Sequence, residues 1–161
     1  MRTIYISFSK EDTLLGTGGA LKKAINKVKS DTFFVLNGDS ICYENLEKVF
    51  QFHQEKRADL TMVLSKLKKN KDFGSVRLSS DYRVLSFQEK VKQKNISLVN
   101  AGIYIMEKDI AKVFPKEDEF SLEYDLFPKL TQLRFYGYIT DQEFFDIGTP
   151  ARLKQARRVL F

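Results

Sequence analysis

Apolar residues recur along the first half of the chain in strand-length runs that alternate with helical patterns. The runs at Ile4–Phe8, Thr32–Leu36 and Leu60–Leu67 are predicted strands. A helix is predicted to open at Gly16–Ala20, and a second is predicted over Glu44–Lys56. This alternation predicts an α/β sheet with right-handed crossovers. Because Phe33 to Leu36 is apolar at every position, we expect a central strand covered by helices on both faces.

The pattern changes in the second half of the chain. A turn at 79–82 predicts an antiparallel hairpin, and Pro115 is expected to end a helix after the next strand. Ser121 and Thr149 are predicted N-caps, the second followed by proline at the first helical position. The predicted strands are Ser75–Leu78, Arg83–Gln88, Leu98–Met106, Phe135–Thr140 and Glu143–Ile147, and the capped helices cover Leu122–Leu133 and Pro150–Leu160. No repeat or linker divides the chain, so a single domain over residues 1–161 is predicted.

Composition narrows the class of protein. A chain of 161 residues with 43% hydrophobic residues can form one domain with a real core. No apolar run approaches the roughly 20 residues of a membrane span, and no signal pattern opens the chain, so we expect a cytoplasmic protein without a membrane partner. The single Cys42 fits a reducing compartment and is expected to fill space.

Charge and histidine content limit the chemistry. The net charge of +6 can favour polyanions such as nucleotides or nucleic acid. The basic stretch Lys66–Lys71 lacks interleaved aromatics and is predicted to be a solvated loop, with contact to a phosphorylated ligand or nucleic acid as the alternative. His53 lies on the apolar stripe of a predicted helix, where a packed, hydrogen-bonded histidine is expected. No Ser-His-Asp set, Cys/His cluster or HExxH motif is present, which argues against hydrolase and zinc chemistry.

Two carboxylates follow predicted strands that lie far apart in the sequence. Asp39 ends Asn37-Gly38-Asp39, and Asp146 precedes Gly148. Ligands of α/β sheets bind at the carboxyl ends of strands, and Mg²⁺ is typically held by one or two carboxylates with substrate phosphates. The pair therefore predicts a Mg²⁺ site, while the alternative for Asp39 is a loop aspartate that caps a turn.

Two further segments carry glycine and small polar groups at predicted strand or helix boundaries. They are Leu15–Ala20, which contains Gly-Thr-Gly-Gly, and Asn100–Tyr104. Glycine allows close backbone approach to a flat ligand, although a flexible turn and helix start would equally explain the first segment.

In order and spacing, these four segments resemble those of the sugar-1-phosphate nucleotidyltransferases. Members of that family join a nucleoside triphosphate to a sugar 1-phosphate and release pyrophosphate. The resemblance covers nearly the whole chain and is strongest to enzymes that make GDP-heptose or GDP-mannose, on Leu36–Ser40 and Phe120–Asp125. It implies the nucleotide-diphospho-sugar transferase type of Rossmann-like α/β fold, a mostly parallel sheet with an antiparallel hairpin insertion.

The resemblance also implies roles for individual residues. Asp39 and Asp146 would bind Mg²⁺ and, with Lys90, form the catalytic set. The residues implied in nucleotide binding are Gly16, Thr17, Gly18, Gly19, Asn37 and Gly38, and the Gly-Thr-Gly-Gly-Ala sequence looks like that of guanosine-using members, which favours GTP. The residues implied in sugar-phosphate binding are Gly74, Glu89, Lys90, Asn100, Gly102 and Glu123. The proline that often follows Glu-Lys in the family is Val91 here.

The family's opening element, a strand running into a Gly-rich loop with an Arg and a later Pro-Lys, has no counterpart in the sequence. The chain thus resembles an N-terminally truncated member, and its activity is open. An alternative is a catalytically inactive sugar-phosphate or nucleotide-binding subunit; a basic nucleic-acid-binding domain fits least, because the ordered motifs would then be accidents. In the family, the missing strand lies between those resembling Ile4–Phe8 and Phe33–Leu36. We therefore expect a homodimer, a complementing N-terminal segment, or direct pairing of Ile4–Phe8 with Phe33–Leu36.

Overall fold

The computed structural model describes residues 4–67, 75–88 and 97–160. The helices are α1 (Gly16–Ala24), α2 (Leu46–Glu55) and α3 (Pro150–Leu160). The strands are β1 (Thr32–Leu36), β2 (Ser40–Cys42), β3 (Leu60–Leu67), β4 (Ser75–Leu78), β5 (Val84–Gln88), β6 (Ser97–Glu107), β7 (Phe135–Thr140) and β8 (Phe144–Asp146). Short 3₁₀ segments cover Ile25–Lys27, Lys108–Val113 and Phe127–Gln132, and Leu122–Leu126 forms a π-turn.

The main sheet is organised around β3 and the long strand β6. Strand β3 pairs with β7 in parallel and with β6 in antiparallel orientation. Strand β6 pairs on its other side with β1 along its second half and with β4 near its start, and β5 completes the hairpin with β4. Strands β1, β3, β4 and β7 therefore run in one direction. The predicted α/β class and hairpin are confirmed, whereas the antiparallel β6 between β1 and β3 was not predicted.

Helical segments cover the main sheet on both faces, which gives the α/β domain two apolar layers. One buried cluster joins Met62, Tyr104 and Phe135 of the sheet to Leu122 of the π-turn and Phe127 of the 3₁₀ segment that follows it. The other joins Val49 of α2 to Val63, Ala101, Ile103 and Ile105 on the opposite face. The centre of β3 is buried throughout, since Leu60 to Leu64 are fully covered. This rigid centre supports the strand ends that carry the candidate site.

His53 is buried in α2 with both ring nitrogens bonded, as the sequence predicts. Its Nε2 lies 3.1 Å from Glu107 Oε1, and its Nδ1 lies 2.8 Å from Thr61 Oγ1. Because a carboxylate only accepts hydrogen bonds, Nε2 carries the proton and Nδ1 accepts from the Thr61 hydroxyl. Burial lowers the pKa of His53 below its ordinary value, against the opposing effect of Glu107. The histidine is thus a neutral structural group that ties α2 to the sheet.

The strand predicted at Ile4–Phe8 is not formed. These residues adopt no regular structure, and the side chains of Ile4, Tyr5, Ile6 and Phe8 are between 78% and 90% exposed. No described strand pairs with these residues, so their backbone N–H and C=O groups have no ladder partner. An apolar alternating run is therefore not enough by itself to form a strand. The expected pairing of this run with Phe33–Leu36 is also not found, because β1 pairs with β6 alone among the described strands.

The expectation of a central position for β1 is also wrong. In the part of the chain that the structure describes, one edge of β1 is unpaired, and Phe34 and Leu36 are 37% and 57% exposed. An apolar run indicates which side chains could be buried, but it does not show whether a neighbouring strand or helix is present to bury them. The result is an edge strand with the sequence of a central one.

The helix predicted over Leu122–Leu133 is interrupted. Ser121 caps its start as predicted, with its hydroxyl accepting from the backbone N–H groups of Glu123 and Tyr124. The chain then forms a π-turn and changes to a 3₁₀ segment, which has Pro128 in its first turn. Proline has no N–H to donate to the preceding turn, which explains why one regular helix does not continue.

Candidate functional site

The loop after β1 is fixed in place by a bulge in β6. The backbone N–H of Asn37 donates to the carbonyl of Gly102 at 2.8 Å. Gly102 adopts a positive φ of 72°, and a Cβ at this position would lie 3.0 Å from Asn37 Cβ. Glycine is therefore required here both for its backbone conformation and for the close approach. The contact fixes where the Asn37–Asp39 segment begins.

Asn100 supports the same bulge with its side chain. Its Oδ1 accepts from the N–H of Gly102 at 3.0 Å, and its Nδ2 donates to the Tyr104 hydroxyl at 2.6 Å. An amide has two donor hydrogens and two acceptor lone pairs, so each end keeps one further hydrogen bond for a ligand. Asn100 therefore has an internal role whatever it binds.

The structure brings the two predicted metal-binding carboxylates together. Strands β2 and β8 pair in a two-stranded antiparallel ribbon in which Ser40 is opposite Asp146, and the N–H of Ile147 donates to the carbonyl of Asp39 at 2.8 Å. A Cβ placed on Gly148 would lie 2.9 Å from Asp39 Oδ2 and 3.3 Å from Asp146 Oδ1. Both carboxylates thus border the space that the missing side chain of Gly148 leaves open.

This donor set fits a magnesium ion. Mg²⁺ prefers hard oxygen ligands and commonly takes one or two carboxylates, with waters and substrate phosphates completing an octahedron. No group of three or more acidic, cysteine or histidine side chains suited to a metal occurs within residues 4–67, 75–88 and 97–160. An ion held by Asp39 and Asp146 would therefore take its remaining oxygen ligands from water and from its substrates.

The glycines at the start of α1 have an internal packing role. A Cβ on Gly18 would meet the Phe120 ring at 2.2 Å, and one on Gly19 would meet the Asp118 carbonyl oxygen at 2.0 Å. The N–H groups of Gly18 and Gly19 both donate to the Phe120 carbonyl. Gly16, at a φ of 70°, would place a Cβ 2.6 Å from the same oxygen. These positions hold the 118–120 segment against α1, and two of the helix's first N–H groups are already used.

Thr17 is bonded directly to Glu123, which the resemblance implies in sugar-phosphate binding. The Thr17 hydroxyl donates to Glu123 Oε2 at 2.8 Å, and it accepts from the N–H of Leu122 at 2.9 Å. The Ser121 hydroxyl also donates to Glu123 Oε2, at 2.8 Å. Glu123 is therefore held in one orientation by two hydroxyl groups, one from each side of the interface with α1.

A cleft of about 620 Å³ joins several of these residues. Thr17 and the helix α1 form one side, and Val35 to Asp39 form the other. A smaller cavity of about 430 Å³ lies beyond Leu36 and Asn37 and is lined in part by Gly102. Four of the candidate binding residues, Thr17, Asn37, Gly38 and Gly102, therefore line cavities at the carboxyl end of β1. Gly16, Gly18, Gly19, Asn100 and Glu123 line neither cavity.

A third cleft, of about 440 Å³, lies at the opposite end of the strands. Asp59 and Arg134 line it, and they bond each other through two side-chain contacts. This hydrogen bonding lowers the pKa of Asp59. None of the four sequence motifs contributes to this cleft, so we do not associate it with the site.

Gly74, Glu89 and Lys90 lie outside the described residues, and Lys68 to Lys71 of the basic stretch do so too. Their predicted roles remain predictions. Cys42 is half-buried with a free thiol, and burial raises its pKa, consistent with the space-filling role predicted for it.

Sequence reasoning missed two basic residues that organise the site. The Lys22 ammonium donates to the carbonyls of Pro115, Lys116 and Glu117 and to Asp118 Oδ1, which fixes the loop that contacts the glycines. Arg152 Nη1 donates to Asp146 Oδ2 at 2.8 Å. The sequence did offer a signal for Arg152. It lies six residues after Asp146 and in the first turn of a predicted helix, a spacing that could place its side chain near that carboxylate. No local signal links Lys22 to a loop more than ninety positions away.

The fold and the site together define an α/β domain with a cleft at the carboxyl end of β1, beside a pair of carboxylates. The family model described as nucleotidyl transferase matches residues 2–160. The chain belongs to this family.

Relatives of known name agree with this assignment. The chain is 37% identical over 158 residues to D-glycero-alpha-D-manno-heptose 1-phosphate guanylyltransferase of Aneurinibacillus thermoaerophilus, covering 98% of this chain and 68% of that protein. It is 33% identical over 150 residues to mannose-1-phosphate guanylyltransferase of Mycobacterium tuberculosis, covering 91% of this chain and 42% of that protein. The chain thus spans about two thirds or less of the length of these relatives.

Solved structures give the same result. HddC from Yersinia pseudotuberculosis matches with a TM-score of 0.82 and 32% identity over 94% of this chain and 65% of that one. A second structure of HddC is a complex with GMP-PN. The predicted resemblance to sugar-1-phosphate nucleotidyltransferases is therefore confirmed. Among the described residues, no helix has the length and hydropathy needed to cross a membrane.

Proposed function

We propose that this domain transfers a guanylyl group from GTP to a heptose or mannose 1-phosphate, with release of pyrophosphate. The observation that carries the proposal is the convergence of Asp39 and Asp146 on Gly148, next to the cleft lined by Thr17 and Asn37. The relatives that are named guanylyltransferases support the choice of nucleotide and sugar. A reaction of GTP with a sugar phosphate and the free thiol of Cys42 both fit a cytoplasmic protein.

The chemistry requires little covalent participation from the protein. An oxygen of the sugar phosphate attacks the α-phosphorus of GTP, and the oxygen that links the α-phosphorus to the β-phosphate leaves with pyrophosphate. Positioning and charge neutralisation dominate catalysis of this kind. A site without a described catalytic histidine or thiol nucleophile is therefore adequate for it.

Each described residue has a role in the proposal that its surroundings permit. Asp39 and Asp146 would hold Mg²⁺, which would neutralise phosphate oxygens of the substrates. Asn37 and Thr17 border the cleft that would receive the guanosine part. Glu123 and the spare hydrogen-bonding capacity of Asn100 would serve the sugar. Glu89 and Lys90 stay in the proposal on the sequence resemblance, with the lysine expected to meet the sugar phosphate.

A substrate panel tests the proposal. Pyrophosphate release would be measured with each of the four nucleoside triphosphates against heptose 1-phosphate, mannose 1-phosphate and glucose 1-phosphate. We expect release to require a divalent cation and to be fastest with GTP and one of the first two sugars. Faster release with UTP and glucose 1-phosphate would contradict the guanylyl assignment.

A second function, binding without turnover, is supported by the unpaired edge of β1. The cleft beside α1 is open along this edge, where Leu36 is exposed. A triphosphate would then have fewer contacts than a sugar phosphate. Calorimetric titration separates the two proposals from each other: sugar 1-phosphate binding with weak GTP binding and no pyrophosphate release favours the binding protein.

A further inference from the structure

Arg152 forms an ion pair with Asp146, one of the two carboxylates in the proposed metal site. Its guanidinium Nη1 lies 2.8 Å from Asp146 Oδ2, and the N–H of Gly148 donates to Asp146 Oδ1 at 2.9 Å. Both members of the ion pair are partly shielded, since their side chains are 33% and 20% exposed. Asp146 is therefore neutralised within the protein itself.

Asp39 is in a different electrostatic state. It is exposed, and within residues 4–67, 75–88 and 97–160 its Oδ1 accepts a side-chain hydrogen bond from the Ser40 hydroxyl alone, at a long 3.4 Å. Among the described side chains it has no ion-pair partner. Its Oδ2 faces the Gly148 gap that Asp146 borders from the other side. The two carboxylates thus share a space, but among the described residues Asp146 alone of the pair has a counter-charge.

A divalent cation between these carboxylates would compete with the guanidinium. Both cations would lie at the same carboxylate, and charges of like sign a few ångströms apart repel each other, more strongly where water is excluded. The competition is one of charge rather than for a single oxygen, because the guanidinium bonds Asp146 Oδ2 while Oδ1 borders the Gly148 gap.

We propose that Arg152 is an internal counter-ion that holds Asp146 in the absence of a divalent cation and releases it when the cation binds. This inference rests on the metal site of the proposed function. Arg152 is a positioning residue in this account, because it acts on the ion through Asp146.

Release of Arg152 from Asp146 would also affect the start of α3. Arg152 lies in the first turn of this helix, and its backbone N–H donates to the Thr149 hydroxyl at 3.3 Å. Loss of the side-chain bond removes one tie between that turn and the end of β8. Cation binding should therefore loosen the beginning of α3 while it stiffens the ends of β2 and β8.

Titration with Mn²⁺ alone, followed by the paramagnetic resonance signal of the free ion, tests the competition. The variant Arg152→Gln keeps a hydrogen-bond donor but removes the charge, and we expect it to bind Mn²⁺ roughly fivefold more tightly than the parent protein. The variant Arg157→Gln is the matched control, because it removes the same charge from an exposed position of the same helix. It should leave the affinity nearly unchanged.

Hydrogen exchange of the backbone N–H groups at 150–156 provides a second readout. Mn²⁺ should speed exchange there in the parent protein and have no such effect in Arg152→Gln, whose exchange is fast from the start. Equal or weaker Mn²⁺ binding by Arg152→Gln, or slower exchange in the parent on adding Mn²⁺, would overturn the inference.

Asp39→Asn separates failure of the inference from failure of the site. If Asp39→Asn causes no loss of Mn²⁺ binding, either in the parent protein or in Arg152→Gln, the proposed metal site itself is wrong. The inference is then refuted with it. If the parent binds Mn²⁺ through Asp39 and Arg152→Gln shows no gain, only the competition is refuted.

Discussion

At the scale of single residues, the glycine motif shows how one pattern can carry two meanings. Its sequence suggests room for a flat ligand, and the structure shows that Gly18 and Gly19 are in contact with the 118–120 segment. We expect Gly19→Ala to lower the free energy of unfolding by about 1–3 kcal/mol, because its Cβ would overlap a backbone carbonyl that cannot move freely. Denaturant unfolding measures this. Gly38→Ala is the control, since nothing lies within 4 Å of its Cβ position, and an equal loss there would contradict the packing role.

His53 predicts how stability depends on pH. Burial lowers its pKa in the folded protein below 6.5, so the unfolded chain binds a proton first as the pH falls. The free energy of unfolding should therefore decrease as the pH is lowered through about 6.5 towards the folded-state pKa, by about 1.4 kcal/mol per unit of the pKa difference. As the sole histidine in the sequence, it can be followed by NMR without ambiguity. A folded-state pKa above 6.5 would refute this prediction.

At the scale of elements, sequence patterns predict some boundaries correctly and fail where a neighbour decides the outcome. The bounds of β3, β7 and α3 are those predicted, because each carries its own apolar pattern or cap. The edge position of β1 and the irregular Ile4–Phe8 run could not be predicted, since an apolar run does not state what lies beside it. The convergence of Asp39 and Asp146 was predictable from strand ends, whereas the role of Lys22 depends on a long-range contact.

The unpaired edge of β1 carries a prediction about association. Exposed apolar side chains on an edge strand favour contact with another strand, so we expect this chain to form dimers at micromolar concentration. Leu36→Lys should shift the chain towards monomer. Leu85→Lys, at a residue with 51% exposure on β5, is the control. Light scattering decides the matter, and a monomeric parent protein would contradict the prediction.

At the scale of the whole molecule, one buried sheet supports one candidate site. Strands β3 and β6 form the buried centre, β1 and the β2–β8 ribbon carry the two carboxylates, and α1 supplies the far side of the cleft. The family assignment and this arrangement agree, because in-line transfer needs an ion, a cleft for the nucleotide and fixed groups for the sugar phosphate. The central claim is that Asp39 and Asp146 act as one pair in that transfer.

Pyrophosphate release from GTP and heptose 1-phosphate or mannose 1-phosphate, measured for the parent protein and for Asp39→Asn and Asp146→Asn, tests this claim most directly. We predict cation-dependent release that falls about a hundredfold or more in each variant, because each removes a ligand of the same ion. Asp141→Asn is the control, since its carboxylate is exposed and bonds Lys66 away from the site. Undiminished release by Asp39→Asn, or no release by the parent protein, would contradict the account.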